Sequence, residues 1–230
     1  MTESDLRFIT VVTYGRTGST ALQAALNSLP NVIVRGENYN ALRGIHDYMQ
    51  SVAETADRHH AGRPTHPWFG SARLDAQAVL ADQRRHVVQY VLRPKATSTW
   101  AGFKEVRYEP GHFADPDALL DYLIFLNTLL PPMHYLVNVR SPESAARSGW
   151  WPDNPDAVHV LERTYASLVD ATGELTRILG EGRAVLIDYD TWSTDPGIVV
   201  EAFAELGLPS DEAAVREALG QRLEHGSHSA

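Results

Sequence analysis

The sequence predicts an α/β fold in three layers, a central parallel sheet of about five strands with helices on both faces. Two features of the pattern carry that prediction. Short apolar runs rich in Val, Ile and Tyr alternate with helical stretches along the whole chain, the order in which parallel strands are joined by crossover helices. The first of these runs, at 8–14, passes through a turn holding Gly15 and Gly18 straight into a helical stretch. With 230 residues, 43% of them apolar and 21% charged, the chain is long enough to bury a real core and is expected to form one domain, 1–230.

Taken in order, strands are expected at 8–14, 32–34, 100–107, 134–140 and 184–189. Helices are expected at 19–29, 116–130, 142–150, 157–179, 196–206 and 211–223. The helix from 142 has a full start signal, with Ser141 to cap it, Pro142 in the first position and Glu143 in the first turn. The stretch 43–94 breaks the alternation with a charged helix, a loop rich in His, Pro and Gly, and a second helix. It reads as an inserted cap over the edge where an open parallel sheet collects its ligands, the carboxyl ends of the strands.

Composition excludes several classes of function. A formal charge of -9 argues against a general nucleic-acid or anionic-membrane binder, since both require a broad basic surface. No cysteine is present, which removes disulfides and thiolate metal sites. The longest apolar stretch, 119–130, contains Asp121 and Asn127 and is too short to cross a bilayer. The first seven residues lack the basic start and apolar run of a signal peptide. A cytoplasmic protein is expected, with no membrane or nucleic-acid partner and with oligomerisation left open.

Any anion site must therefore be local, and two candidates stand out. The turn Gly15-Arg16-Thr17-Gly18-Ser19-Thr20 precedes a helix. There, glycines let backbone N–H groups converge, Ser19 and Thr20 add hydroxyls, Arg16 adds charge, and the helix dipole favours an anion. No lysine precedes Ser19 and the glycines are three apart, so the turn is not a Walker A loop. The second candidate is Arg140 at the end of the fourth strand with Ser148 two turns into the following helix. Ser141 and Ser148 share a helix face, so Arg140 and Ser148 can grip one phosphate.

Tyr14-Gly15-Arg16-Thr17-Gly18-Ser19-Thr20 resembles the 5'-phosphosulfate loop of sulfotransferases, with Gly15 in place of the usual proline and Thr17 in place of the usual serine. Arg140 with Ser148 matches the arginine and serine, eight apart, that bind the 3'-phosphate in that family. Tyr189, followed by Asp195-Pro196 and the Phe203-to-Pro209 segment, resembles the family's third conserved stretch, which implies that Tyr189 lies near the adenosine. The resemblance runs from 8 to 209 and is thin over 43–94. It implies a P-loop-like fold and transfer of a sulfuryl group from 3'-phosphoadenosine-5'-phosphosulfate (PAPS) to a small-molecule acceptor without a metal, leaving 3',5'-adenosine bisphosphate (PAP). The binding residues so implied are Arg16, Thr17, Gly18, Ser19, Thr20, Arg140, Ser148 and Tyr189.

Sulfuryl transfer needs a base for the acceptor's proton and positive charge where the transition state gains negative charge. Glu37, in Gly36-Glu37 after the second strand, matches the glutamate base of bacterial and carbohydrate sulfotransferases. Gly102-Phe103-Lys104-Glu105-Val106-Arg107 resembles another bacterial segment. Strand alternation puts Glu105 and Arg107 on one face as an ion pair and leaves Lys104 on the other as a free cation for the sulfonate. Glu37, Lys104 and Arg16 are thus the expected catalytic residues, with Glu37 free to act. Metal ligation by His59, His60, His66, His225 or His228 is not expected. Two alternatives remain: a nucleotide-dependent phosphotransferase, with Asp188 ending a Walker B-like strand, and an idle PAP- or PAPS-binding protein. Trp68, Phe69, Trp150 and Trp151 are candidates for an acceptor wall.

Overall fold

A computed structural model describes residues 6–58 and 63–220; of the histidines considered above, His59, His60, His225 and His228 lie outside the described residues. Five strands form one all-parallel sheet: β1 (Arg7–Val12), β2 (Val32–Arg35), β3 (Trp100–Glu105), β4 (Met133–Val139) and β5 (Ala184–Asp188), in the order β2-β3-β1-β4-β5. The predicted strands all form, displaced by at most a few residues at their ends. Helices α1 (Ser19–Ser28), α2 (Ala41–Arg58), α3 (Ala76–His86), α4 (Pro116–Leu129), α5 (Pro142–Ala146), α6 (Ala157–Leu179), α7 (Tyr189–Trp192), α8 (Gly197–Glu205) and α9 (Glu212–Gly220) complete the chain. The fold is the three-layer, P-loop-like α/β arrangement.

Because a strand's side chains alternate between faces, the two halves of the core divide by parity. Phe8, Val12, Phe103, Tyr135 and Val137 pack against α4 and α6 through Leu119, Leu123, Leu161 and Leu168. Ile9, Val11, Leu136, Val185 and Ile187 pack against α1, α8 and α9 through Leu22, Leu26, Phe203 and Val215. Helix α4 shows how the local sequence sets an element. Asp115 accepts a hydrogen bond from the Ala118 N–H, Pro116 opens the first turn, and Leu119, Tyr122, Leu123, Leu126 and Leu129 form one buried stripe.

The departures from expectation are local. The helix predicted over 142–150 stops at Ala146, and the chain turns through Gly149 at φ 69°. In the 41–92 stretch, α3 runs into a wider turn of π-helical geometry, Val87–Leu92. This stretch packs on α4 and on the open edge at β2: Leu42, Val87 and Leu92 join the α4 side of the core. Arg35 donates to the carbonyls of Leu92 and Arg93, both at 2.8 Å, and Arg84 donates to that of Leu129 at 2.7 Å.

Strand β1 is central, and its pairing with β3 brings Ile9 opposite Gly102. A Cβ at position 102 would lie 1.8 Å from the Ile9 carbonyl oxygen. Gly102→Ala is therefore expected to destabilise the protein by at least about 3 kcal/mol, roughly 6–12 °C of Tm, as measured by thermal and urea unfolding.

Candidate functional site

All five strands run the same way, so the segments leaving their carboxyl ends meet along one edge. In register, Val12 lies beside Glu105 and Val137, Arg35 beside Phe103, and Val139 beside Asp188. The loops that follow carry nearly every candidate residue named from the sequence.

The turn after β1 is wound tightly, with Arg16 at φ 75° and Gly18 at φ 74°, the left-handed region that favours glycine. At Gly18 a second constraint applies: a Cβ there would lie 2.4 Å from the Tyr189 ring. No side chain caps α1 at Gly18, and the first N–H groups of a helix have no partner within it. The turn therefore presents an uncapped ten-residue helix start beside Arg16, with Thr20 exposed and Ser19 largely buried.

Thr17 is a partial correction, because its hydroxyl faces inward. It donates to the Tyr14 carbonyl at 3.1 Å and lies 2.6 Å from the Thr13 hydroxyl, which donates to the Asn138 carbonyl at 2.6 Å. The side chain of Asn138 completes the brace: its Nδ2 donates to the Thr17 carbonyl at 2.8 Å, and its Oδ1 accepts from Trp192 Nε1 at 2.8 Å. Tyr14 is likewise inside. Its hydroxyl bonds the Arg140 carbonyl and accepts the Arg140 N–H at 2.8 Å, and burial pushes the phenol well above its usual range. Sequence reasoning missed Asn138 and Tyr14. The available signal for Asn138 was a polar residue near the end of an apolar inner strand, which needs partners when buried.

Arg16, Arg140, Ser148 and Tyr189 do come together, though with different partners from those expected. Ser148 accepts from Arg16 Nε at 3.0 Å, not from Arg140, because α5 ends before it and Gly149 turns it back across the Arg16 side chain. Arg140 donates to the Arg16 carbonyl at 2.9 Å, meets Asp190 at 3.3 Å and lies 4.6 Å from the centre of the Tyr189 ring. Asp190 also accepts the Ser141 N–H at 3.1 Å. The exposed Trp150 ring covers Gly15, where a Cβ would meet it at 2.5 Å. Trp151 is buried.

At the β2 and β3 ends the expected ion pair of Glu105 with Arg107 is present at 2.7 Å. Glu105 is fully buried and also accepts the N–H groups of Asn38 (3.2 Å), Asn40 (2.9 Å) and Val106 (2.9 Å). It thus closes the loop between β2 and α2. The expectation of a free Lys104 and a free Glu37 is overturned, since they pair with each other at 2.6 Å and Arg107 adds a second contact to Glu37 at 3.0 Å. β2 ends at Arg35, opposite Phe103, and the chain leaving it brings the Glu37 carboxylate to Lys104, which is buried and cannot stay unpaired. Burial acts to raise the Glu37 carboxyl, but the hydrogen bonds and charges of Lys104 and then Arg107 outweigh it and hold the group below its usual 4.5.

Beyond Arg107 a cavity of about 240 Å3 opens between the loop before α4 and the side of α6. Tyr108, Phe113 and Leu119 line it on one side and Arg163, Ser167 and Asp170 on the other. Among the described residues no group of three His, Cys, Asp or Glu side chains is placed to hold a metal ion, and no helix is long and apolar enough to span a membrane.

Comparison with solved structures gives the fold a family likeness. A sulfotransferase domain from the Synechococcus PCC 7002 olefin synthase superposes with a TM-score of 0.55 at 16% identity, covering 94% of this chain and 78% of that one. A sulfotransferase domain from the curacin biosynthetic pathway gives 0.55 at 16% identity, over 97% and 81%. A sulfotransferase from Mycobacterium avium gives 0.50 at 14% identity, over 94% and 67%. No protein-family profile and no curated protein matches the chain. At these identities the likeness is one of fold.

Two substitutions check the braces. Glu105→Gln removes the charge that four donors share, and is expected to cost about 1.5–3 kcal/mol. Asn138→Ala strips partners from the Thr17 carbonyl and the buried Trp192 N–H, at about 1–3 kcal/mol. Urea unfolding of both variants, read as a change of midpoint at constant m, measures these losses.

Proposed function

We propose that this chain is a sulfotransferase that moves a sulfuryl group from PAPS to a hydroxyl or similar group of a small-molecule or carbohydrate acceptor. The observation that carries the reading is the meeting of an uncapped helix start with Arg16, Lys104, Arg140 and Ser148 at one edge of the sheet. The chain is acidic overall, so this local gathering of cations calls for an anionic ligand. The shared fold with sulfotransferase domains supports the same choice.

In this reading Arg16, Gly18, Ser19, Thr20 and the Thr17 backbone hold the 5'-phosphosulfate. Arg140 and Ser148 hold the 3'-phosphate, and the Tyr189 ring flanks the adenosine. PAPS supplies a sulfuryl group already joined to a phosphate leaving group. Arg16 and Lys104 stabilise the charge that builds on the transferred and leaving oxygens. Glu37, the base expected from the sequence, serves that role here only when Lys104 and Arg107 release it; until then it anchors Lys104. The cavity of about 240 Å3 between the loop before α4 and the side of α6, with its mixed apolar and charged lining, is taken as the acceptor site, and the 43–94 stretch as a cap over the sheet edge.

The phosphotransferase alternative finds less support, because Asp188 accepts the Asp190 N–H at 2.7 Å as the cap of α7. Binding tests the main reading. A hundredfold excess of 3',5'-adenosine bisphosphate over its Kd should stabilise the protein by about 2.7 kcal/mol, read as a rise in Tm, while ATP and AMP give much less. Equal shifts with AMP and the bisphosphate would remove the 3'-phosphate site. Arg140→Ala should weaken the bisphosphate at least about tenfold, and Arg16→Ala should also slow transfer; unchanged affinity in Arg140→Ala would overturn the role of that arginine.

A further inference from the structure

Three consecutive residues fold back over the first two residues of the turn after β1. Ser148 accepts from Arg16 Nε at 3.0 Å. Gly149, at φ 69°, packs so closely on the Arg16 side chain that a Cβ there would lie 2.7 Å from Arg16 Cδ. The Trp150 ring lies on Gly15, where a Cβ would meet two ring atoms at 2.5 and 2.8 Å. Gly15 lies outside the left-handed region, so its backbone makes no demand for glycine; the ring does. Gly15 also stands where the sulfotransferase loop usually has proline, whose Cβ would enter the space that the indole fills. The covering ring is therefore a feature of this chain, and Gly15 and Trp150 form a matched pair.

The place of the ring is also fixed from its own side. Gly149 turns the chain just before it, and Trp150 opens a single 3-10 turn, Trp151–Asp153, with its carbonyl accepting the Asp153 N–H at 3.3 Å. Trp151 is buried in the core, its ring centre 6.2 Å from that of Trp150. The Trp150 side chain is nonetheless 56% exposed, whereas Gly15 beneath it is buried. A large apolar ring thus stands between the start of the turn and solvent.

Resting on the sulfotransferase reading, we propose that Trp150 is a water shield for the phosphosulfate and thereby decides between transfer and hydrolysis. Both reactions break the same bond. In transfer the acceptor oxygen bonds to sulfur, the bond from sulfur to the phosphate oxygen breaks, its electron pair leaves on the bisphosphate, and the acceptor's proton passes to the base. In hydrolysis a water oxygen takes the acceptor's place, inorganic sulfate forms, and the water's protons pass to solvent. Cations at the turn favour the departing charge in either case, so they do not select between the two. An apolar ring seated on Gly15 does: it offers water no acceptor on its face and fills the volume beside Arg16 through which water would approach. Trp150 acts by exclusion and takes no proton.

The test needs no acceptor. The wild type and its variants are incubated with sulfur-labelled PAPS alone, and released inorganic sulfate is measured beside the Tm shift and the tryptophan emission change with the bisphosphate. Trp150→Ala should fold, because the ring is exposed, and should keep the bisphosphate shift while releasing sulfate at least about fivefold faster. Gly15→Ala displaces the ring and should also speed release. Added to Trp150→Ala it should change nothing further, the non-additivity expected of two residues in one contact. Bisphosphate binding should change the emission of the wild type and much less that of Trp150→Phe. Release by Trp150→Ala less than about fivefold above wild type overturns the proposal, as does loss of the bisphosphate shift in that variant, which makes the ring a nucleotide contact only. Additive effects of Gly15→Ala and Trp150→Ala, or equal emission changes in the wild type and Trp150→Phe, overturn the seating of the ring on the turn. Absence of the bisphosphate shift in the wild type overturns the sulfotransferase reading instead.

Discussion

The architecture depends on β1 being held between β3 and β4 in parallel register, which sets Val12 level with Glu105 and Val137. Parallel pairing with crossover helices leaves only one place where the strands' following loops can meet, the carboxyl edge. Because β1 is buried on both faces, the turn at 15–18 is anchored from below by strand pairing. From the side, Asn138 grips it through the Thr17 carbonyl. A turn with two left-handed residues, one of them the non-glycine Arg16, needs that support.

Charge is organised by burial in this molecule more than by sequence position. The chain carries an excess of acid, yet Lys104, Arg107, Arg140 and Arg16 face one edge, each tied to a carboxylate, a hydroxyl or a carbonyl. Buried charges demand such partners, because an unpaired one costs several kcal/mol. The three glutamates at the β2 and β3 ends divide accordingly. Glu105, with four donors, is structural. Glu37, between two cations, is lowered in proton affinity, and Glu109, buried with an orphaned oxygen, is raised. Environments that push like groups apart in this way are how one fold assigns different proton roles to chemically equal side chains.

The loop after β3 is held in a similar way. The loop from Tyr108 to Pro116 joins the carboxyl edge of the sheet to α4 and lines the cavity. Arg43 of α2 reaches it through the His112 carbonyl and the Phe113 ring. The 41–92 stretch thereby meets this loop through a packed contact.

What could be read from the residues alone was whatever depends on local pattern. Short apolar runs rich in Val, Ile and Tyr named all five strands, the Ser141-Pro142-Glu143 start located α5, and glycine spacing marked the turn after β1. The Glu105–Arg107 pair followed from strand alternation, since residues two apart in a strand share a face. Partners across strands were beyond reach. Lys104 meets Glu37 because the chain leaving β2 folds back onto β3, and Ser148 meets Arg16 because the helix stops at Ala146, four residues early, and the chain turns at Gly149. Asn138 shows in the sequence only as a polar residue in an apolar strand, and its importance comes from burial and from the Thr17 and Trp192 partners that the folded chain alone supplies. Local geometry is a property of neighbouring residues; which charge meets which is decided by packing of segments distant along the chain.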